Sequence, residues 1–302
     1  MEAIIAAVNE KYNLTNKEVF EGDPRVADWP FMNNLASFLT IIILYLLVVK
    51  HGPAFMENRP AFSLTPLLVV YNFALVILSA YIVIEMLSCA IIQGYSLLCQ
   101  PVNYEPTEIG IREASVSWWY FMSKIIELLD TVFFILRKKG NQITFLHVYH
   151  HSTMAIICWY VAKYVPGGEK FYNGGFNSLI HVFMYTYYGL AAMGPEMQKY
   201  LWWKRYLTEF QLIQFVLVNL RSIGTFFNGP CEYPMWMNVV ALFYSSSLLI
   251  LFLNFYLKSY KASGQNGVKG CRSHESITTI KGQVISSNGQ QPSTNKAFIK
   301  KE

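Results

Sequence analysis

The sequence predicts an all-α, polytopic membrane protein with seven transmembrane helices, and three observations carry that prediction. The chain has 302 residues, 53% of them hydrophobic and only 14% charged, a composition foreign to soluble enzymes. Seven apolar segments lie near 33–49, 64–84, 115–136, 143–162, 174–193, 206–227 and 235–257. At about 1.5 Å per residue each can cross most or all of roughly 30 Å of hydrocarbon. The loops between them alternate in charge: residues 1–32, 94–114, 163–173 and 228–234 hold 6 Lys/Arg against 11 Asp/Glu, whereas 50–63, 137–142, 194–205 and 258–302 hold 16 against 4. Basic residues stay on the cytosolic side of a membrane. The N-terminus is therefore expected outside or in the lumen, and the C-terminus in the cytosol.

Residues 1–32 form the expected lumenal segment. They lack a basic start and carry mostly acidic charge, so no cleavable signal peptide is expected. Asn13-Leu14-Thr15 is a glycosylation sequon on that segment. The first span is the shortest of the seven, and the membrane catalytic domain is expected over 33–258. Cys89, Cys158 and Cys271 fall in or near spans or in the cytosolic tail, while Cys99 and Cys231 both fall in lumenal loops and are expected to form a disulfide. Residues 259–302 lose hydrophobic periodicity and fill with Gly, Ser, Asn, Gln and Lys, the composition of a disordered tail. The tail ends Phe298-Ile299-Lys300-Lys301-Glu302, which resembles a dilysine retrieval signal with its lysines too near the end. An endoplasmic-reticulum membrane is the expected location.

Four of the spans carry polar faces. In the third, Lys124, Glu127, Asp130 and Thr131 recur at steps of three to four, either as an ion-pair network that locks helices together or as part of a site in which Asp130 orients an imidazole. The fourth holds His147, His150 and His151, whose i, i+3, i+4 spacing sets three rings on one helical face. A charge at the centre of a membrane helix costs on the order of 2.5–3.5 kcal/mol. Such a cluster therefore points to a protein-lined cavity and a histidine-based active site. The fifth aligns Asn177, His181, Met184, Tyr185 and Tyr188. The sixth begins with Thr208, Gln211 and Gln214, amides suited either to substrate carbonyls or to hydrogen bonds between helices. At the expected cytosolic mouth lie Arg137-Lys138-Lys139 and Lys199 with Lys204-Arg205. Positive-inside bias alone yields such clusters, yet they also suit a ligand with a phosphorylated head and an apolar tail.

The chemistry open to these residues is narrow. Membrane di-iron oxygenases also use HxxHH clusters, but they need more histidines than this chain supplies. Of its six, His51 lies in a loop and His274 in the tail, leaving His147, His150, His151 and His181. A single zinc is possible by number, yet no carboxylate or thiolate pattern accompanies it and no CxxC or Cys/His metal spacing exists. No metal or resident cofactor is expected. Cys158 lies two turns beyond His151, about 10 Å along the axis, and reads as packing. Metal-free histidine chemistry remains: nucleophile, base or hydrogen-bond donor. A transporter or lipid-binding bundle is the rival class, although no paired inverted repeats or broken helices mark a transport site.

Lys-x-x-Glu-x-x-Asp-Thr at 124–131, His-x-x-His-His at 147–151, Asn-x-x-x-His-x-x-Met-Tyr-x-Tyr-Tyr at 177–188 and Thr-x-x-Gln-x-x-Gln at 208–214 together resemble the ELO family. These are elongases of very-long-chain fatty acids, 3-ketoacyl-CoA synthases of the endoplasmic reticulum. The resemblance spans about residues 25–260. It implies seven helices around a narrow acyl tunnel, and condensation of a long-chain or polyunsaturated acyl-CoA with malonyl-CoA. Arg137-Lys138-Lys139, Gln142, the run 146–151 and the run 200–208 look most like the branch handling polyunsaturated and very long chains. In the expected ping-pong reaction His150 takes the acyl group as an acyl-imidazole, His181 polarises a carbonyl, His147 and His151 set tautomers, and Asp130 orients. A direct ternary condensation with a histidine base is the alternative. Lys124, Glu127, Asn177, Tyr185, Tyr188, Gln211 and Gln214 are expected to bind substrate, with Arg137, Lys138, Lys139, Lys204 and Arg205 at the mouth. The resemblance also implies a ketoacyl reductase, a dehydratase and an enoyl reductase as partners in the same membrane. Homo-oligomerisation is left open, and no nucleic-acid partner is expected.

Overall fold

The computed structural model describes residues 22–96, 99–227 and 233–261. The sequon at Asn13, the expected disulfide partner Cys231 and the tail from 262 lie outside the described residues. Within them are eight α-helices and no strand: α1 (Leu35–Met56), α2 (Thr65–Ile92), α3 (Glu108–Glu127), α4 (Leu129–Leu136), α5 (Phe145–Tyr164), α6 (Lys170–Ala192), α7 (Lys204–Phe227) and α8 (Met235–Tyr256). Asn34 caps α1 by accepting from the amides of Ala36 and Ser37, Thr107 caps α3 through Gly110, and Thr144 caps α5 through the His147 amide.

These boundaries refine one expectation and bear in part on a second. The third expected span is two helices, α3 and α4, meeting at Leu128. In addition, four helices among the described residues are long and apolar enough to cross a membrane: α1, α2, α7 and α8. The helices α3, α5 and α6 have 20, 20 and 23 residues, so length is not what sets them apart. They carry Arg112, Glu113, Lys124 and Glu127, the three histidines, and Lys170 and His181 respectively. Among the residues that lower their apolarity, Lys124, Glu127, His147, His150, His151 and His181 are ones the sequence marks as functional.

Successive helices run back and forth between two ends. One end carries the basic residues 137–139 and gathers the α1–α2, α4–α5 and α6–α7 connections; the other gathers residues 93–107, 165–169 and the start of α8. The pairs α2–α6, α7–α8, α3–α5 and α2–α3 make the main contacts. Closest approach of α2 and α6 depends on glycine. A Cβ on Gly189 would stand 3.2 Å from the Phe73 ring, and one on Gly174 would stand 3.1 Å from Met86, so small residues let these helices pack backbone to backbone. The core lies among α1, α2, α3 and α5, where Phe38 stacks on Trp159 at 5.4 Å and meets Phe121 edge-on at 5.6 Å.

Three consecutive carbonyls before α1 are caught by side chains from later helices. Trp118 Nε1 donates to Pro30 O at 3.1 Å, Trp159 Nε1 to Phe31 O at 2.7 Å and Lys163 Nζ to Met32 O at 2.8 Å. Phe31 sits between them in the left-handed region, φ +67°.

Candidate active site

The polar stripe of α3 and α4 is closed upon itself and its neighbours. Glu127 Oε1 lies 2.8 Å from Lys124 Nζ and 3.1 Å from His181 Nδ1, and Lys124 Nζ is 3.3 Å from the same ring nitrogen. Only 1% of Glu127 and 3% of Lys124 is exposed, so the ion pair is fully internal and its geometry must offset two desolvated charges. His181 is held at Nδ1, which leaves Nε2 as the ring atom available for chemistry. Beyond Leu128 the stripe divides. Asp130 Oδ2 accepts from the Tyr185 hydroxyl at 2.9 Å. Thr131 Oγ1 lies 2.7 Å from His147 Nε2 and 3.1 Å from the Tyr45 hydroxyl. The carboxylate that holds an imidazole is thus Glu127, while Asp130, expected in that role, holds a phenol.

On α5 the three rings form a chain. His147 meets His151 at 4.3 Å between centroids, and His151 meets His150 edge-on at 5.3 Å. His147 is anchored by Thr131. Neither His150 nor His151 hydrogen-bonds through its ring to any described residue. His150 stands within electrostatic reach of Lys124, Glu127 and His181.

His150 lines a cavity of about 140 Å³ enclosed by α5, α6, α7 and α8, with Tyr120 of α3 in its wall. Its lining runs along α5 from His150 to Val161 and along α8 from Met237 to Leu248, eleven helical steps or about 16 Å in each case. Met154, Ile157, Val161, Phe215, Val218 and Leu248 make most of the wall apolar. Asn177 and Gln214, expected at the site, line it; Tyr120 OH donates to Asn177 Oδ1 at 3.0 Å. His147, His151, His181, Lys124, Glu127, Asp130, Tyr185, Tyr188 and Gln211 do not line it. They surround it at one remove or lie apart: Gln211 Nε2 faces Met184 Sδ at 3.7 Å, and Tyr188 is 42% exposed.

The basic groups sit at the other end of the bundle from the cavity's deep end. Lys138 donates to Glu57 O at 2.8 Å, and Arg205 pairs with Glu209 at 2.8 Å, with Tyr256 completing that contact. Lys139 and Lys204 are exposed and Arg137 is half-buried.

Sequence reasoning missed several lining residues. Tyr120 precedes Lys124 by four and Glu127 by seven, so the stripe itself pointed to it. Glu169 and Lys170 were counted as loop charges. Instead Glu169 pairs with Arg221 at 3.1 Å, buried on both sides, and Lys170 Nζ donates to Ser117 O at 3.1 Å. Burial pushes the Glu169 carboxyl up, and the Arg221 guanidinium opposes that shift. Asn173 precedes Asn177 by four and His181 by eight, so that face pointed to it as well, whereas Asn238 and Tyr244 gave no such signal. Cys99 is disulfide-bonded, whereas Cys89 and Cys158 are free and buried. Among the described residues no group of three or more His, Cys, Asp or Glu side chains is arranged to hold a metal ion.

Comparison with known proteins agrees with this picture. The family described as ELO, GNS1/SUR4, matches residues 30–267. Very long chain fatty acid elongase 4 of Homo sapiens is 44% identical over 281 residues, covering 91% of this chain and 88% of the relative. Its Mus musculus counterpart is 47% identical over 245 residues, 81% of this chain and 78% of the relative. Very long chain fatty acid elongase 2 of Mus musculus is 43% identical over 261 residues, 86% and 88% of the two chains. With the family match covering residues 30–267 and relatives 43–47% identical over most of the chain, this protein belongs to the ELO (GNS1/SUR4) family.

Proposed function

We propose that this protein is the condensing enzyme of fatty acid elongation, joining a long-chain or polyunsaturated acyl-CoA to malonyl-CoA to give 3-ketoacyl-CoA, CO2 and CoA. The observation that carries the reading is the position of His150: an imidazole without a side-chain partner on the wall of a long, mainly apolar cavity. A cavity of that lining suits an acyl chain, and an imidazole at its side suits the thioester that ends it.

In the reaction, an imidazole nitrogen of His150 attacks the thioester carbonyl and forms a C–N bond as the C–S bond breaks. The ring proton passes to the departing thiolate, and CoA leaves. Malonyl-CoA then loses CO2, and the carbanion at its second carbon attacks the acyl-imidazole. The new C–C bond displaces His150 as the imidazolate, which takes one proton from water to regain the neutral ring, the single proton that the overall condensation consumes. His181 lies behind the cavity wall, fixed at Nδ1 by Glu127; its role in this reading is to turn Nε2 to the carbonyl oxygen on which negative charge develops, once the thioester is seated between it and His150. His147, anchored by Thr131, holds His151 and through it His150. The basic mouth residues Arg137, Lys138, Lys139, Lys204 and Arg205 receive the CoA phosphates.

The same reading gives the membrane arrangement. The helix pair α3–α4 crosses as one unit with α1, α2, α5, α6, α7 and α8, making seven spans around an acyl tunnel. The N-terminus is lumenal and the C-terminus cytosolic in the endoplasmic reticulum. The product then needs a ketoacyl reductase, a dehydratase and an enoyl reductase.

Intact mass of the purified protein after exposure to acyl-CoA alone tests the ping-pong route. An adduct of the acyl mass, absent in His150→Ala and discharged by malonyl-CoA, is expected. Two-carbon extension without any adduct would replace it with a ternary condensation.

A further inference from the structure

The helices around the cavity are not fastened equally. The narrow junction of α3 with α6 is backed by α2, which packs against both; at the junction of α5 with α8, no other helix packs substantially against both. Packed mainly on α7, α8 is the least buried of the four helices apolar enough to cross a membrane. Its seam with α5 is held at two ends. Near His150, Tyr149 OH lies 2.9 Å from Ser247 Oγ, and Thr153 Oγ1 lies 3.0 Å from Tyr244 OH. At the far end the Tyr160 ring meets Trp236 edge-on at 5.3 Å, and Val161 and Met237 share a buried cluster. Residue numbers rise along α5 as they fall along α8 in these pairs, so the helices run antiparallel. That register sets Ile156 and Ile157 opposite Val240 and Ala241. Ile157, Val240 and Ala241 line the cavity, while Ile156 and Val240 are 42% and 39% exposed. For about 10 Å between Thr153 and Tyr160, the wall between cavity and outside is therefore aliphatic. No side-chain hydrogen bond crosses it there among the described residues.

A long acyl chain rests in hydrocarbon while its CoA head rests in water. Threading that chain end-first through a basic mouth draws methylene after methylene into water, each at a cost in free energy. A seam that parts lengthwise avoids this, because the chain moves sideways from bilayer to cavity while its head stays in the cytosol. We propose that the α5–α8 seam is the portal of the acyl chain: long-chain acyl-CoA enters through it and the extended product leaves by it. The Tyr149–Ser247 and Thr153–Tyr244 pairs separate as it opens. Their chemistry suits that use, since hydrogen bonds between helices in a membrane are individually weak. Ser247 and Thr153 already donate to Tyr244 O and Tyr149 O of their own helices, so parting breaks only the two bonds donated by the phenols. The inference rests on the reading that this cavity takes the acyl chain.

The test joins the two helices. The full chain carrying Ile156→Cys and Val240→Cys is purified, placed in lipid bilayers and bridged with a short, reducible bis-methanethiosulfonate. Each single variant treated with the same reagent controls for modification at other cysteines. Bridged before acyl-CoA is added, the protein should lose multiple-turnover extension by at least about tenfold, because entry and release are then limiting, and reduction should restore it. Bridged after loading with long-chain acyl-CoA, it should complete one round of extension with malonyl-CoA and retain the 3-ketoacyl product until reduced. A bridged protein that loads and releases at the unbridged rate overturns the portal and leaves the condensing function intact. Loss of the single round in preloaded protein also overturns it, since the bridge would then act on the chemistry. If the unbridged protein extends nothing, the condensing function falls and the portal with it. Should the double variant fail to accumulate, Ser247→Ala decides, because it removes one fastening outside the cavity lining. Preloaded Ser247→Ala should release product several-fold faster than wild type, and release no faster overturns the portal.

Discussion

Two polar faces of this bundle differ in how completely they are satisfied. On α3 and α4, Lys124, Glu127, Asp130 and Thr131 each meet a buried partner within 3.3 Å. On α5 only His147 does; His150 and His151 meet other groups through ring contacts. Both faces read alike in sequence, as ionisable residues at helical spacing within an apolar span. The difference lies in what a group has left to offer. A carboxylate already shared between an ammonium and an imidazole has its lone pairs spent on structure. An imidazole on a cavity wall keeps its lone pair for a substrate.

The largest test of that contrast is His150→Ala, which should reduce two-carbon extension by about 10²–10⁴-fold while leaving the thermal midpoint in detergent nearly unchanged. A comparable loss of stability would place His150 with the scaffold. Glu127→Gln should do the reverse first. It leaves the buried Lys124 ammonium uncompensated, at a cost of about 3–5 kcal/mol, and thermal unfolding should show it. Adding Lys124→Met to that variant should restore much of the loss; if it does not, the pair is not the source of the stability.

Thr131→Val sharpens the contrast further, because it touches both faces. Removing its hydroxyl takes the partner from His147 and from Tyr45 and should cost about 1–3 kcal/mol, with a smaller loss of activity than His150→Ala. Activity equal to wild type would show that His147 does not need its anchor. The smallest expected effect belongs to the surface. Arg205 pairs with Glu209 where 60% of its side chain is exposed, a setting in which ion pairs contribute little. Arg205→Ala should not move the thermal midpoint but should raise KM for acyl-CoA several-fold. An unchanged KM would remove it from the mouth.

Much of this was legible from residue spacing. The face of His147, His150 and His151 follows from the helical period, and the apolar runs of α1 and α2 have no other use than burial or membrane contact. What stayed hidden depended on distant partners. Nothing near Glu169 announces Arg221, 52 residues away, so a buried ion pair was read as loop charge. The break at Leu128 had no proline or glycine to mark it; there one helix ends and the next begins inside a continuous helical pattern. Asp130 and Thr131, adjacent on α4, lie about 100° apart around that helix and so serve α6 and α5 separately. Asn238 sits in an apolar stretch of α8, and only its distant neighbour Glu169 gives it meaning. Length and apolarity alone single out four of the helices, because apolarity finds the helices at the bundle's rim more easily than those lining its interior.

The capture of the carbonyls at Pro30, Phe31 and Met32 by Trp118, Trp159 and Lys163 has a consequence in time. The donors at 159 and 163 lie 128 and 131 residues downstream of the carbonyls they engage. At roughly 5–20 residues synthesised per second, the segment leading into α1 waits on the order of ten seconds before its anchors exist. During that interval α1 is held by the bilayer alone. Its final seat therefore waits for α5 and is set while α6, α7 and α8 are still to be made: the first helix to enter the membrane is locked only midway through synthesis.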